Sequence, residues 1–395
     1  MRWLICLFLA FYCSSCYLIR AYKVRDFQLT DHERLPSLVI AKSSHPYHFA
    51  DGTRNEHYKS LRNYLDSSLP RSFTAAFLVV KNDSIIYENY FNGFTQASLL
   101  PSFSVAKSFV ATLVSIAVKE GKIKSFQEPI TNYLPPLYKK DKRFSKITLQ
   151  HLLDMRSGLH FNEGSYGLKD DAIKLGFRPH LLKHAMKVKV EKEPGGEFNY
   201  QSINTELLAL IIENATGQKI SAYMQQKLWQ PLGAEYNATW NIDSKKHQQE
   251  IAFAGLNATA RDFAKLGQLY LNNGQWQGEK ILDPSWIQTV DNADSMSKAG
   301  GYKNQWWSSL NYRYFLDSAS AVNFKYKTSH STSVRKTAKG YRVGYRTDAF
   351  SAEGILNQYI YINPKNRVVI VRLGRFWNHP EFYAEQFVYS VGERL

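Results

Sequence analysis

PSFSVAKSF, Pro101 to Phe109, runs into an apolar stretch from Phe109 to Val118 that ends in Lys119-Glu120-Gly121. The pattern predicts a buried helix with Ser104 at its first turn and Lys107 one turn on, on the same face, so that a hydroxyl lies beside an amine. A serine hydroxyl is a poor nucleophile at neutral pH unless a neighbour takes its proton. A lysine desolvated in a cleft can lose its own proton and do so. The start of the helix also favours negative charge developing on the serine oxygen. Ser-x-x-Lys fixes only two residues, so its meaning depends on partners elsewhere in the chain.

Working outward, 395 residues with 44% hydrophobic content can bury a large core as one large domain or two packed ones. A formal net charge of +16 suits an anionic environment such as phospholipid headgroups. Nucleic acid competes for that reading, but no zinc-finger spacing or RNP-like aromatic signature accompanies the scattered basic residues, and no nucleic-acid partner is expected. The three cysteines, Cys6, Cys13 and Cys16, all lie in the first twenty residues. The body therefore lacks a thiol for a disulfide, a zinc thiolate or a cysteine nucleophile. The same residues form an apolar run, Trp3 to Ile19, with Arg2 before it and Arg20, Lys23 and Arg25 after it. It reads as an export signal or membrane anchor spanning residues 1–20, which puts the body in a bacterial periplasm or cell envelope. Cys16 after Ser14-Ser15 offers a lipidation site, although Cys13 stands where such signals carry leucine.

Residues 21–60 show no sustained period and read as a linker wrapping onto the body. FTAAFLVVKNDSIIYENYF from Phe73 reads as a hairpin turning at Lys81 to Ser84, and NQYIYINPKNRVVIVRLG near the far end reads as a second one turning at Asn363 to Asn366. The two are expected to share a sheet, with a helical stretch over 381–395 on one face and the Ser104 helix on the other. Between them, 148–155, 204–214, 220–229 and 259–271 carry apolar residues at helical spacing. The fold class is α/β: a sheet flanked by helices with an inserted, mostly helical domain. Its boundaries are placed at 61–125 and 335–395 for the α/β part and 126–334 for the helical part.

Pro194-Gly195-Gly196 opens a turn that carries Tyr200 onto an apolar helix. A phenol set near Lys107 is drawn toward phenolate and can take the serine proton.

Six segments in order, PSFSVAKSF, ITLQHLLDMRSGL, PGGEFNYQSINTELLALIIENATG, QPLGAEYNATW, GLNATARDFAKLGQLYLNNGQW and FSAEGILNQYIYINP, resemble the serine β-lactamase-related superfamily. The resemblance covers about residues 60–390 and is to its esterase-like and 6-aminohexanoate-dimer-hydrolase-like branches, near class C β-lactamases and some penicillin-binding proteins. It implies a β-lactamase/transpeptidase-like fold with an antiparallel sheet. Ser104 then matches the acylated nucleophile, Lys107 the lysine supporting its deprotonation, and Tyr200 the tyrosine of the second motif.

Two departures from the family pattern bear on the substrate. The second motif commonly ends in asparagine, whose place is taken by Ser202, left with a single hydroxyl to donate to a substrate amide. The third motif, typically Lys-Thr-Gly in β-lactamases, reads Ala352-Glu353-Gly354, which keeps the glycine and lacks the cation that holds a β-lactam carboxylate. The oxyanion hole implied by the resemblance joins the Ser104 N–H to one near Leu356.

Trp306 and Trp307, with Tyr312 and Tyr314, are candidates to wall an acyl pocket, Trp306 foremost. His180 and His184, four apart, lack a third ligand, so no metal and no cofactor is expected. The resulting expectation is a serine hydrolase acting on a small-molecule ester, amide or peptide. A silent, membrane-tethered binder of peptidoglycan or peptide and a true β-lactamase or D-alanyl peptidase are the alternatives. The oligomeric state has no signal in the sequence.

Overall fold

Two hairpins from distant parts of the chain lie side by side in one sheet. The first, Thr74–Lys81 and Ser84–Tyr90, turns through Asn82 and Asp83, both at positive φ, as a tight two-residue hairpin turn requires. The second is Gln358–Asn363 and Val368–Gly374. Its last strand pairs antiparallel with Thr74–Lys81 and sets Ile370 opposite Val79. Gly340–Gly354 and then Trp306–Phe315 extend the sheet on the far side of Gln358–Asn363, to nine strands among the described residues. Pairing is antiparallel except where Ala50–Asp51 runs parallel to the start of Ser84–Tyr90.

The computed structural model describes residues 20–21, 27–165, 167–291, 301–327, 331, 333–338, 340–375 and 384–395. The apolar run at residues 3–19, with its three cysteines, lies outside the described residues. Among those described, no helix is long and apolar enough to cross a membrane.

The chain divides into two compact units: Met1–Tyr47 with Ala97–Thr259, and His48–Gln96 with Ala260–Leu395. The cut differs from the one read in the sequence. Residues 260–334 join the sheet-bearing unit, and the Ser104 helix, Ala106–Lys119, joins the other.

In the sheet-bearing unit every residue of Val368–Gly374 is buried, because helices cover both faces of its sheet. This is why the strand reads as continuous Val and Ile rather than as an alternation. One face takes the helix Ala260–Leu271. A Cβ at Gly267 would lie 2.5 Å from Val369 Cγ1, so only glycine lets this helix approach so closely. This helix, and not Ala106–Lys119, covers the face that the sequence reading gave to the Ser104 helix. The other face takes Lys59–Ser68 and the C-terminal helix Ala384–Arg394, in a cluster that includes Leu65, Phe77, Tyr361, Ile370, Phe387 and Val388.

The other unit holds a four-stranded antiparallel sheet, Ser37–Ile40, Ala238–Asn241, Leu256–Ala258 and Leu100–Pro101 in that order. Part of the expected linker is thus an edge strand of this sheet. The chain beyond it is tied down by Ser43 N–H to Ala234 O and Tyr47 N–H to Gly233 O. Helix Ala106–Lys119 is buried from Ala106 to Ala117 and packs beside Ser202–Thr216, itself buried through Ile212 and stopped by Gly217 at φ +71°. The glycine supplies the left-handed backbone that closes such a helix.

Candidate active site

Ser104 is presented where a strand becomes a helix. Leu100 and Pro101 pair with Ala258 and Asn257, and the Ser102 N–H donates to Leu256 O at 2.9 Å. The backbone then enters the left-handed region at Phe103, φ +44°, which is uncommon for a bulky residue and is held by its surroundings. The Phe103 ring meets that of Phe27 edge-on, with centroids 6.0 Å apart. A single 3-10 turn, Phe103–Val105, leads into the helix and leaves Ser104 partly exposed.

Lys107 is 1% exposed, and its Nζ donates to Ser104 Oγ at 2.8 Å and to Phe253 O at 3.2 Å. The amine stands 5.0 Å from the centroid of the Tyr200 ring and 5.5 Å from that of Phe253. Burial pulls its pKa down to about 8, against the upward pull of Glu163 and Glu206. At that value a sizeable fraction of the amine is neutral near pH 7.5 and can accept a proton.

Tyr200 lies two residues ahead of helix Ser202–Thr216, and the segment around it is fixed by the loop that follows Leu153. Asn199 N–H donates to Met155 O at 2.8 Å, and Gly195 N–H to Arg156 O at 2.8 Å. Ser157 Oγ donates to Asn204 Oδ1 at 2.6 Å. Gln201 spends its amide on the carbonyls of Leu159 and Phe161, both at 3.0 Å. Gly158, at φ +70°, is needed because a Cβ would fall 2.3 Å from Lys192 O. The Met155 to Leu159 stretch therefore acts by holding Tyr200 in place.

Two carboxyl groups that the sequence reading did not single out complete this neighbourhood. Glu163 Oε1 accepts from Ser202 Oγ at 2.7 Å and Oε2 from the Ser202 N–H. Its loop is pinned by Asp170, which accepts from Gly164 N–H at 2.9 Å and Ser165 N–H at 3.0 Å while capping the helix Asp171–Phe177. Glu206, one turn beyond Ser202, is fully buried and accepts from Ala252 N–H at 3.0 Å. It thereby anchors the backbone one residue before Phe253, whose carbonyl receives Lys107. Burial drives the Glu206 carboxyl well above the carboxylate range, toward its neutral form. An acid at the fourth position after Ser202, inside TELLALII, was a readable signal, because it places a titratable group on a buried helical face. Glu163, in an aperiodic loop, offered none.

The structure thus gathers Ser104, Lys107, Tyr200 and Ser202 within one unit, but with a different task for Ser202. Its only O–H hydrogen is given to Glu163, so it is not the substrate-amide donor read from the sequence. Ala352, Gly354 and Leu356 belong to the sheet-bearing unit. Ala352 faces Ile360 and Gly354 faces Gln358, while Leu356 sits at φ +64° in the following turn. Trp306 belongs there too and does not wall a pocket. It is 0% exposed, 4.5 Å from the Tyr270 ring and 5.5 Å from that of Phe350, with its indole N–H given to Tyr270 OH at 3.2 Å. An aromatic so enclosed has no surface left for a ligand.

His180 stacks on His247 at 3.9 Å, and burial, with Arg178 and Lys187, pushes His184 down to about 4. Among the described residues no three His, Cys, Asp or Glu side chains are grouped to hold a metal ion.

The beta-lactamase family model matches residues 69–385. A 6-aminohexanoate-dimer hydrolase of Paenarthrobacter ureafaciens is 28% identical over 277 residues, 63% of this chain and 68% of that protein. A solved Bacillus anthracis structure, assigned as a 6-aminohexanoate-dimer hydrolase, superimposes with a TM-score of 0.72 at 25% identity, over 94% of this chain and 92% of that one. A class C β-lactamase variant superimposes with a TM-score of 0.58 at 16% identity, over 88% of this chain and 100% of that one, a likeness of fold alone. The fold is that of the β-lactamases and transpeptidases.

Proposed function

The chain belongs to the β-lactamase family, and on that premise we propose that it is a serine hydrolase cleaving an amide or ester bond through an acyl-enzyme on Ser104. The observation that carries this reading is the buried Lys107 amine, drawn down to about 8 and 2.8 Å from Ser104 Oγ. Neutral Lys107 takes the hydroxyl proton as Ser104 Oγ bonds to the substrate carbonyl carbon. Tyr200, beside the same amine, relays a proton to the departing nitrogen or oxygen as its bond to carbon breaks. Water then attacks the acyl carbon, releases the acid and returns the proton to Ser104.

Two observations favour a linear amide or ester over a β-lactam. The Paenarthrobacter relative bears the name 6-aminohexanoate-dimer hydrolase, and the Ala352-Glu353-Gly354 stretch, matched by resemblance to the Lys-Thr-Gly motif, has no cation in its sequence for a β-lactam carboxylate. The apolar residues 3–19 extend the reading to an exported, membrane-proximal enzyme of the cell envelope.

A fluorophosphonate probe tests the reading, with mass spectrometry to map the labelled residue. Labelling at Ser104 that disappears in Lys107→Ala is expected. Folded protein that takes up no probe would remove the enzyme reading and leave a binding domain. Linear amides, p-nitrophenyl esters and nitrocefin, offered in turn to the labelled-competent protein, sort the substrate class.

A further inference from the structure

Of the nine large apolar side chains exposed among the described residues, four, Tyr314, Leu316, Val322 and Tyr326, fall within one stretch of thirteen. Leu316 is 93% exposed and Tyr326 81%, the two highest values of the nine. They sit at one end of the nine-stranded sheet, where strand Trp306–Phe315 gives way to helix Ser318–Lys327 and strands Arg335–Thr337 and Gly340–Gly354 follow. Register places Tyr314 opposite Arg342 and Arg342 opposite Arg335, so these three share one face of the sheet. The helix lies on the other face, its Phe324 ring 5.3 Å from those of Phe315 and Tyr345, and turns Val322 and Tyr326 outward.

The segment that forms this end is as one-sided in charge as in exposure, and the one carboxylate brought to it from elsewhere, among the contacts described, is Glu393, which accepts from Tyr345 OH at 2.9 Å on the helix-covered face. From Tyr312 to Arg342 the described residues include Arg313, Lys325, Lys327, Arg335, Lys336 and Arg342, against one carboxylate, Asp317. Asp317 is already engaged by the N–H and hydroxyl of Ser320, both at 2.8 Å. An aliphatic tip gains only by leaving water, whereas a ring of cations gains only by meeting anions. A bilayer with anionic headgroups offers both at once: hydrocarbon for Leu316 and Val322, the interface for Tyr326, and phosphate for the cations. Nucleic acid would satisfy the cations and leave Leu316 and Val322 unpartnered. A second copy would bring like charges together.

We propose that this end of the sheet seats the protein on membranes rich in anionic phospholipid, with Leu316 and Tyr326 as the inserting side chains and the surrounding Lys and Arg as the headgroup contacts. The inference is independent of the hydrolase reading, since none of these residues lies in the Ser104 site.

The full chain is tested by co-sedimentation with phosphatidylcholine vesicles, with and without phosphatidylglycerol, because residues 3–19 are apolar enough to bind either kind. The preference for anionic vesicles is the readout. The quadruple variant Lys325→Glu, Lys327→Glu, Arg335→Glu, Lys336→Glu is expected to lose about tenfold or more of that preference and most of its salt dependence. Leu316→Ser with Tyr326→Ser should weaken anionic binding while keeping the salt dependence. Fluorophosphonate labelling and near-UV dichroism report whether each variant is folded.

A control with the same change of net charge, Lys122→Glu, Lys124→Glu, Lys139→Glu, Lys142→Glu, should retain the preference. An equal loss in that control would overturn the proposal in favour of diffuse charge. It would equally be overturned by a wild-type chain indifferent to phosphatidylglycerol, by single-stranded RNA that binds this end while vesicles do not, or by Leu316-dependent dimerisation without vesicle binding.

Discussion

The Ser202 hydroxyl donates to Glu163 Oε1 at 2.7 Å, and the same carboxylate also accepts the Ser202 N–H. Glu163 is thereby held where its charge acts on Lys107 and raises the affinity of that amine for its proton. Labelling of Ser104 by fluorophosphonate should therefore rise with pH through a midpoint of about 8 in the native protein. In Glu163→Gln, which keeps one acceptor oxygen for Ser202 and removes the charge, the midpoint should move downward. A midpoint that stays in place would show that Glu163 does not tune Lys107.

Ser202→Ala separates a positioning role from a binding one. Loss of this hydrogen bond to a carboxylate should cost about 1.5–3 kcal/mol of stability. Because the hydroxyl serves Glu163 and not the substrate, kcat should fall while KM stays nearly constant across acyl groups. A KM that rises selectively for amide substrates would return Ser202 to the substrate-binding role.

Lys107 is expected to be held at the expense of stability. Its folded-state pKa, about 8, lies below the ordinary lysine value of 10.5, so the unfolded chain binds more protons between those limits and stability rises with pH across them. Lys107→Met should abolish labelling of Ser104 while stabilising the fold below pH 8 by an amount approaching 3 kcal/mol, a gain that fades toward pH 10.5. Denaturant melts at pH 7 and pH 10 measure both limbs. Equal stability differences at the two values would contradict the assignment.

Glu353 behaves in the opposite sense. Its Oε1 accepts from Ser351 Oγ at 2.7 Å and from Tyr389 OH at 3.3 Å, and burial, with Glu385, pushes its pKa up to about 8. The folded form then binds more protons than the unfolded chain between the usual value of 4.5 and 8, so this group's contribution is full below pH 4.5 and is lost as pH rises through 8. Glu353→Gln should match the native melting temperature near pH 4 and exceed it at pH 8 to 9. Parallel pH profiles for the two proteins would disprove the shift.

Trp306→Ala should unfold readily and not merely bind substrate poorly. Emptying a fully enclosed indole site typically costs about 3–5 kcal/mol. Urea midpoints, set against KM for whatever substrate is identified, distinguish the two outcomes.

How far the sequence could be read follows from what kind of interaction placed each residue. The Ser104 helix, both hairpins and the helix after Tyr200 were legible because apolar periodicity and turn chemistry are local. Asn82-Asp83 must adopt positive φ, and Gly217 must end its helix, whatever lies around them. The sheet partner of each helix was not legible. Ala106–Lys119 and Ala260–Leu271 are both apolar enough to cover a sheet, and only the missing Cβ of Gly267 shows which one approaches Val369. At the site, Ser104, Lys107 and Tyr200 could be found because motif spacing brings them forward. Glu163 could not, since its loop is held by the Asp170 carboxylate accepting from the Gly164 and Ser165 N–H groups, a contact that leaves no period or motif in the sequence. Trp306 was misread because an aromatic pair looks the same in a pocket and in a core until its neighbours are known.

The pairing of Val79 with Ile370 joins residues about 290 positions apart. At synthesis rates of roughly 5–20 residues per second, the apolar strand Thr74–Lys81 waits on the order of 15 to 60 s before its partner exists. Throughout that interval one edge of TAAFLVV can pair with any strand it meets, including the same segment of another nascent chain. The sheet is thus closed last along its most buried seam, and a chain cut short before Val368 would keep the Ser104 unit but leave that edge of Thr74–Lys81 open to other strands for good.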